Sequence, residues 1–243
     1  TPPATTDEID PNLQDSKGYN FDLGYRGSWT PALQFDLSYF HLNYADRIGT
    51  VAQLRPDKSS YQYRTNLGTS ISRGFEGYVE VDPITAIFES SRVGYLHLFA
   101  SIAFVDATYG DFDVTTVSNG QIQIRNLEGN RVENAPRKIN RFGATYTLNS
   151  LSMTWQLSDI GEAFSDASNT VAPNAAATVG LIPAYRVQDL SASWNFWKQH
   201  SLKAGVNNLT DARYFTRRAG GYPGPGIMPA DGRTFYLTAA LKF

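Results

Sequence analysis

The chain has 243 residues, 21 Lys plus Arg against 23 Asp plus Glu, a formal net charge of -2, 42% hydrophobic residues and no cysteine. This balance excludes the basic surface that a nucleic-acid backbone requires, and the absence of thiols excludes a disulfide framework, a thiolate metal site and a cysteine nucleophile. No run approaches the ~18 consecutive apolar residues of a membrane helix, so a membrane-spanning reading must be a closed β-barrel, in which strands satisfy each other's backbone groups.

The first residues, TPPATTDEIDPNLQDSKGY, lack a charged start, an apolar core and a small-residue cleavage site, so they are not an export signal. Residues 1–17 read as the remnant of an external loop of a mature chain or of a piece, and 18–243 as barrel. Alternation of apolar and polar residues then predicts strands near 18–29, 33–54, 61–82, 94–109, 137–149, 151–164, 185–197, 201–212 and 232–243. In the first, Tyr19, Phe21, Leu23, Tyr25 and Trp29 alternate with Asn20, Asp22, Gly24, Arg26 and Ser28. Between Leu33 and Tyr44 the apolar phase slips after Tyr39, which predicts a bulge or a strand leaving the bilayer. Phe142, Ala144, Tyr146 and Leu148, then Leu151, Met153, Trp155 and Leu157, then Leu190, Ala192, Trp194 and Phe196, repeat the pattern. The last strand carries Phe235, Leu237, Ala239, Leu241 and Phe243 on one side and Thr234, Tyr236, Thr238, Ala240 and Lys242 on the other. Strands of a soluble sandwich usually run about 5 to 6 residues, whereas most of these run roughly 9 to 16, enough to cross a bilayer when tilted.

Short connections near 28–33, 82–94, 148–152 and 196–202 alternate with long polar or Gly/Pro-rich ones at 55–60, 110–136, 165–184 and 212–232. Tight periplasmic turns and long external loops on opposite rims have this asymmetry. The fold class is therefore all-β, an antiparallel transmembrane barrel. The count of about nine strands is odd, where single-chain bacterial barrels have even numbers, so the piece begins within an external loop or a strand has been missed. QIQIRNLEGNRV, 121–132, is the candidate for a loop hairpin.

The terminal segment NNLTDARYFTRRAGGYPGPGIMPADGRTFYLTAALKF, 207–243, resembles the C-terminal end of TonB-dependent outer-membrane receptors, and its YFTRR and GYPGPG elements are similar to the ferric dicitrate branch. DPNLQDSKGYNFDLGYRG, SRGFEGYVEVDP, NAPRKINRFGATYTL and IPAYRVQDLSASWNF are similar to strand segments of the same barrel half. The resemblance implies an incomplete arc of a barrel of about 22 strands, with the plug domain, the TonB-contacting motif and the earlier strands outside these residues. It implies active uptake of a chelated iron complex such as ferric citrate, coupled to the TonB energy-transducing complex. The chelate would be cargo, and no resident cofactor is implied. In such a barrel, Phe235, Leu237, Leu241 and Phe243 would form the signal read by the barrel assembly machinery. The alternative is a passive porin-like or structural outer-membrane barrel.

Trp29, Trp155, Trp194 and Trp197 are read as interfacial girdle residues, and Gly77, Gly143 and Gly205 as bends or close approaches within strands. Enzymatic readings find little purchase: His41, His97 and His200 are scattered, and neither a Gly-x-Ser-x-Gly elbow nor a phosphate-binding loop occurs. Glu76, Glu80 and Asp82 fall on the wet side of a strand whose other side carries Phe75, Val79 and Val81. Asp111 and Asp113 fall in a solvated loop without calcium-loop spacing. Asn208 opens a formal glycosylation sequon that has no use in a bacterial barrel. The ligand-binding candidates are loop residues Arg213, Tyr214, Arg217 and Arg218 beside Phe215, because planar guanidinium forks suit carboxylate-rich ligands. Arg125, Arg131 and Arg137 are weaker candidates, with Glu128 and Glu133 near enough in sequence to neutralise them.

Overall fold

In a computed structural model, residues 7–88, 92–197, 200–221 and 224–241 are described. They form one large, mainly antiparallel sheet and two small two-stranded ribbons, with almost no helix. The strands in chain order begin with β1 (Asp7–Ile9), β2 (Lys17–Thr30), β3 (Leu33–Leu54) and β4 (Ser60–Val81). After the single-turn helix α1 (Pro83–Ile87) come β5 (Tyr95–Ser118), β6 (Gln121–Asn126), β7 (Lys138–Leu148) and β8 (Leu151–Ile160). The short β9 (Ala163–Phe164) and β10 (Leu181–Ile182) pair with each other, ahead of β11 (Tyr185–Phe196) and β12 (His200–Asn207). The hairpin β13 (Phe215–Ala219) with β14 (Gly226–Pro229) and the last strand β15 (Thr234–Ala240) complete the chain.

Nine strands follow one another around the sheet in the order β15-β12-β11-β8-β7-β5-β4-β3-β2, each antiparallel to its neighbours. This is the strand number that the alternation predicts. The sheet is an open arc with β2 at one edge and β15 at the other, and β1 and β6 lie off this path on β4 and β5.

Register turns the sequence alternation into two continuous surfaces, since residues paired across an antiparallel ladder share a face. One row runs Val81, Leu98, Ala144, Trp155, Leu190, Val206 and Phe235 from β4 to β15. Another runs Leu23, Tyr39, Phe75 and Phe104 from β2 to β5. These side chains lie open, Phe75 being 63% and Phe235 75% exposed. Interior packing does not explain so much bare apolar surface, and contact with acyl chains does. The opposite face is polar: Asp36, Glu76, Ser101, Arg141, Gln156 and Ser193 all project from it. Aromatic rings on that face lie over glycines of the neighbouring strand. Phe40 covers Gly74, Phe99 covers Gly143 and Tyr236 covers Gly205, and a Cβ at any of the three would collide with its ring.

The phase slip in β3 has a physical origin. Pairing with β4 continues without a break to Tyr44↔Ser70, and the irregularity falls between Tyr44 and Arg47, where Asp46 takes φ 53°. Phe40 and Leu42 are thus wet-side residues near the outer rim, and the strand leaves the apolar zone before it bulges. The segment 121–132 is not a hairpin by itself: its first half, β6, is one arm of a loop hairpin whose other arm is the end of β5, Asp113 to Ser118, and the chain turns back through Asn119 and Gly120 at φ 52° and 68°, the two left-handed residues of a tight hairpin turn.

The short connections act as rigid corners. Asp82, 4% exposed, caps α1 by accepting from the amides of Ile84 and Thr85 at 3.0 and 3.1 Å and from the Thr85 hydroxyl at 2.6 Å. Trp29, Trp194 and Trp197 stand near this rim as a girdle would, but Trp155 lies in the middle of β8. There its indole N–H donates to Gln188 Oε1 at 3.1 Å, so each group satisfies the other on the apolar face.

Candidate functional site

The long connections form a layer beyond the rim with a small core of its own. Tyr109, Phe112 and Leu127 are buried together against Leu67, Val114, Val132 and Ala167, and the Arg47 guanidinium lies over the Tyr109 and Phe112 rings at 5.9 and 5.7 Å. Burial and a hydrogen bond donated to Glu133 push the Tyr109 hydroxyl well above its ordinary pKa. Glu133 is therefore engaged by Tyr109.

The 165–184 connection is the hub of this layer. On one side the Arg131 amide donates to Asn169 Oδ1 at 2.7 Å, Asn169 Nδ2 returns a bond to the Arg131 carbonyl at 2.8 Å, and the Arg131 guanidinium lies 5.3 Å over Phe164. Burial lowers the Arg131 pKa, as does the nearby charge of Arg137. On the other side Arg218 donates to the carbonyls of Ala177, Gly180 and Leu181 at 3.0, 3.2 and 3.0 Å, with Phe215 against its guanidinium at 4.9 Å. Two arginines far apart in sequence thus hold one loop from both flanks.

The other candidates are distributed differently. Arg213 is exposed and pairs with Asp211 at 3.2 Å. Arg233's amide and Arg213's charge keep the Asp211 carboxyl below its usual range. Tyr214 stacks on Tyr185 of β11 at 4.4 Å and 21°, which ties the β13–β14 hairpin to the barrel wall. Arg217 is exposed, and its side chain makes no hydrogen bond or ion pair among the described residues. Arg125 is exposed on β6. Asn208, 3% exposed, closes the turn before the hairpin: its Nδ2 donates to the Ala212 and Asp231 carbonyls and its Oδ1 accepts from the Ala212 amide. The sequon asparagine is a turn anchor. Asp111 and Asp113 both accept from Asn126 Nδ2 at 2.8 Å, and among the described residues no group of three or more His, Asp or Glu is placed to hold a metal. Phe235, Leu237 and Leu241 are exposed, while Phe243 lies outside the described residues.

Sequence reasoning missed a second constellation on the outward face. In the apolar phase of their strands, Arg73, Asp106, Lys138, Asp159 and Arg186 occupy neighbouring positions, and Arg137 reaches the same row. Asp106 joins Arg73 at 3.4 Å and Arg137 at 3.0 Å; Asp159 joins Lys138 at 2.8 Å and Arg186 at 3.0 Å. The readable signal is a charge falling in apolar phase in one strand after another.

A curved antiparallel sheet that is greasy outside, wet inside and long-looped on one rim defines a stretch of outer-membrane barrel wall. The profile of the family described as "TonB dependent receptor-like, beta-barrel" matches residues 2–209, and the chain belongs to that family, whose members are outer-membrane proteins. Among solved structures it is similar to the ferric citrate transporter FecA in its unliganded form, with 22% identity and a TM-score of 0.72 over 93% of this chain and 31% of that one. It is also similar to the siderophore receptor PiuA from Acinetobacter baumannii, with 21% identity and a TM-score of 0.65 over 91% of this chain and 28% of that one. The ferric yersiniabactin uptake receptor FyuA from Yersinia pestis follows at 17% identity and a TM-score of 0.65, over 92% and 29%. The chain spans about a third of the length of these receptors.

Proposed function

We propose that these residues are the C-terminal barrel part of an outer-membrane active transporter that takes up a chelated iron complex of the ferric citrate kind with energy delivered through TonB. In this reading, residues 1–17 come from an external loop, and a plug and the remaining strands complete the barrel. The wall supplied here carries the external loops that capture the chelate. The observation that carries the ligand reading is Arg217: an exposed guanidinium without a partner among the described residues, on a hairpin fixed by the Tyr185–Tyr214 stack and by Arg218. Such a group is free to make a bidentate bond to a carboxylate. Arg125 and Arg213 would add to the positive field at the mouth, and Arg131 and Arg218 would shape it by holding the 165–184 loop. The outward row of Phe235, Leu237 and Leu241, with Phe243, would be the strand presented to the barrel assembly machinery.

The test is the affinity of the complete receptor for ferric dicitrate. A hydrogen bond to a charged group contributes ~1.5–3 kcal/mol, so Arg217→Ala should weaken binding about tenfold or more. Unchanged affinity in Arg217→Ala and in an Arg217→Ala, Arg218→Ala double variant would remove the hairpin from recognition. Failure of the unaltered receptor to bind ferric dicitrate would remove the citrate reading.

A further inference from the structure

The outward charge row lies one membrane crossing above the short-turn rim. Arg73 to Val81 is nine residues, Leu151 to Asp159 nine and Arg186 to Phe196 eleven, against the ~9–11 residues that a tilted strand needs to traverse the hydrocarbon. The row is on the side of the long loops, which face the exterior in outer-membrane barrels. It is therefore at the headgroup level of the outer leaflet, on the surface that touches lipid.

Its charge is unbalanced. Four cations, Arg73, Arg137, Lys138 and Arg186, share two carboxylates, Asp106 and Asp159. Each carboxylate bridges two cations and so fixes their positions while neutralising only half of their charge. Asp159 is 14% exposed, while the Arg73, Arg137 and Arg186 side chains are 60%, 60% and 72% exposed. With five N–H donors on each guanidinium, most of their bonding capacity points away from the protein.

The surface next to the row is shaped for a chain. A groove of about 740 Å³ on the apolar face is lined by Leu23, Leu37, Phe75, Ile102 and Phe104. A second groove of about 260 Å³ shares Tyr39, Phe75 and Phe104 with it and ends at Arg73, Asp106 and Arg137. An apolar channel leading to paired guanidiniums fits an amphiphile with an anionic head better than a free anion, which has no use for the channel.

We propose that Arg73, Arg137, Lys138 and Arg186 form a binding site for a phosphorylated lipid of the outer leaflet, with its phosphate on the Arg73–Arg137 pair and an acyl chain in the groove over Phe75 and Phe104. The site would fix the depth of the barrel in the membrane and keep a lipid annulus on this wall. It adjoins the loop layer at Arg137, whose charge is felt by Arg131, but it faces lipid and does not depend on which chelate is transported.

The complete protein, purified in detergent and stripped of lipid, is titrated with bis-phosphorylated lipid A, with its dephosphorylated form and with inorganic phosphate, and bound lipid is read by native mass spectrometry. An anionic surface contributes roughly 1 kcal/mol for each nearby Lys or Arg. Arg73→Gln with Arg137→Gln should therefore bind the phosphorylated lipid at least about tenfold more weakly, Arg73→Lys with Arg137→Lys should retain it, and the dephosphorylated lipid should bind all variants equally poorly. Lys138→Gln with Arg186→Gln gives an independent reading at the other end of the row, with folding checked by unheated electrophoretic mobility. Equal binding by folded Gln variants and unaltered protein would overturn the proposal. So would equal binding of the dephosphorylated lipid, or displacement of bound lipid by an equal concentration of inorganic phosphate, which would assign the cluster to free anions.

Discussion

Arg218 shows how little a side chain's type says about its use. The sequence presents it beside Arg217 as one of two equivalent loop cations, yet it donates to three carbonyls of the 165–184 loop while Arg217 remains open. Nothing local in TRRAG distinguishes them; the difference arises because the β13–β14 hairpin turns successive residues to opposite sides. Arg218→Ala should leave the barrel folded and raise amide exchange across 174–184 at least about tenfold, since bonds from a charged donor contribute ~1.5–3 kcal/mol. Unchanged protection there would show that the loop is held by something else. Asp82 makes a second residue-scale prediction. Burial alone would raise its pKa, but donation from the Thr85 hydroxyl and from the Thr85, Leu96 and Ile84 amides lowers it below the ordinary value. Its contribution is therefore complete above the unfolded-state pKa of about 4 and is lost as pH falls through the lower folded value. Exchange protection of the 82–88 corner should be flat from neutral pH to about pH 5 and fall below about pH 4, and Asp82→Ala should cost about 1 kcal/mol and abolish that dependence.

Among the elements, strands inside the bilayer were the legible ones. Period-two alternation is enforced where one face meets lipid and the other water, and β3 and β11 run within a residue of their expected limits. The same rule explains the errors. Alternation predicts an end to β5 at 109, but the strand continues to Ser118, because beyond the membrane both faces are wet and alternation has nothing to report. The outward charge row was illegible for a related reason: Arg73, Asp106 and Asp159 each look like a phase error until register aligns them. The loop clamps depend on contacts between residues about 38 positions apart, which carry no periodic signature. Close approach is testable at Gly143, where the Phe99 ring occupies the space of a Cβ. Gly143→Val should destabilise the barrel by ~1–3 kcal/mol through overpacking, seen as a lower midpoint of urea unfolding in micelles; a midpoint equal to the unaltered protein would mean that the ring moves freely.

At the scale of the whole molecule, the sheet is open, and its edges β2 and β15 present backbone groups with no partner among the described residues. Each such group facing hydrocarbon costs several kcal/mol, so residues 1–243 expressed alone should fail to give a monomeric, protease-resistant species in lipid vesicles, whereas the complete barrel should succeed. The two faces of the arc make it a membrane wall, and the absence of cysteine from these residues allows a direct measurement of each. Single cysteines placed in the complete protein at Phe75, Phe104, Leu157 and Leu237, and at their neighbours Glu76, Ala103, Gln156 and Tyr236, are spin-labelled in lipid vesicles. Collision with oxygen dissolved in the bilayer is compared with collision with a water-soluble nickel complex. The first four should respond to oxygen and the second four to nickel. Equal responses at neighbouring positions, or the reverse pattern, would contradict a wall with lipid on one side and water on the other.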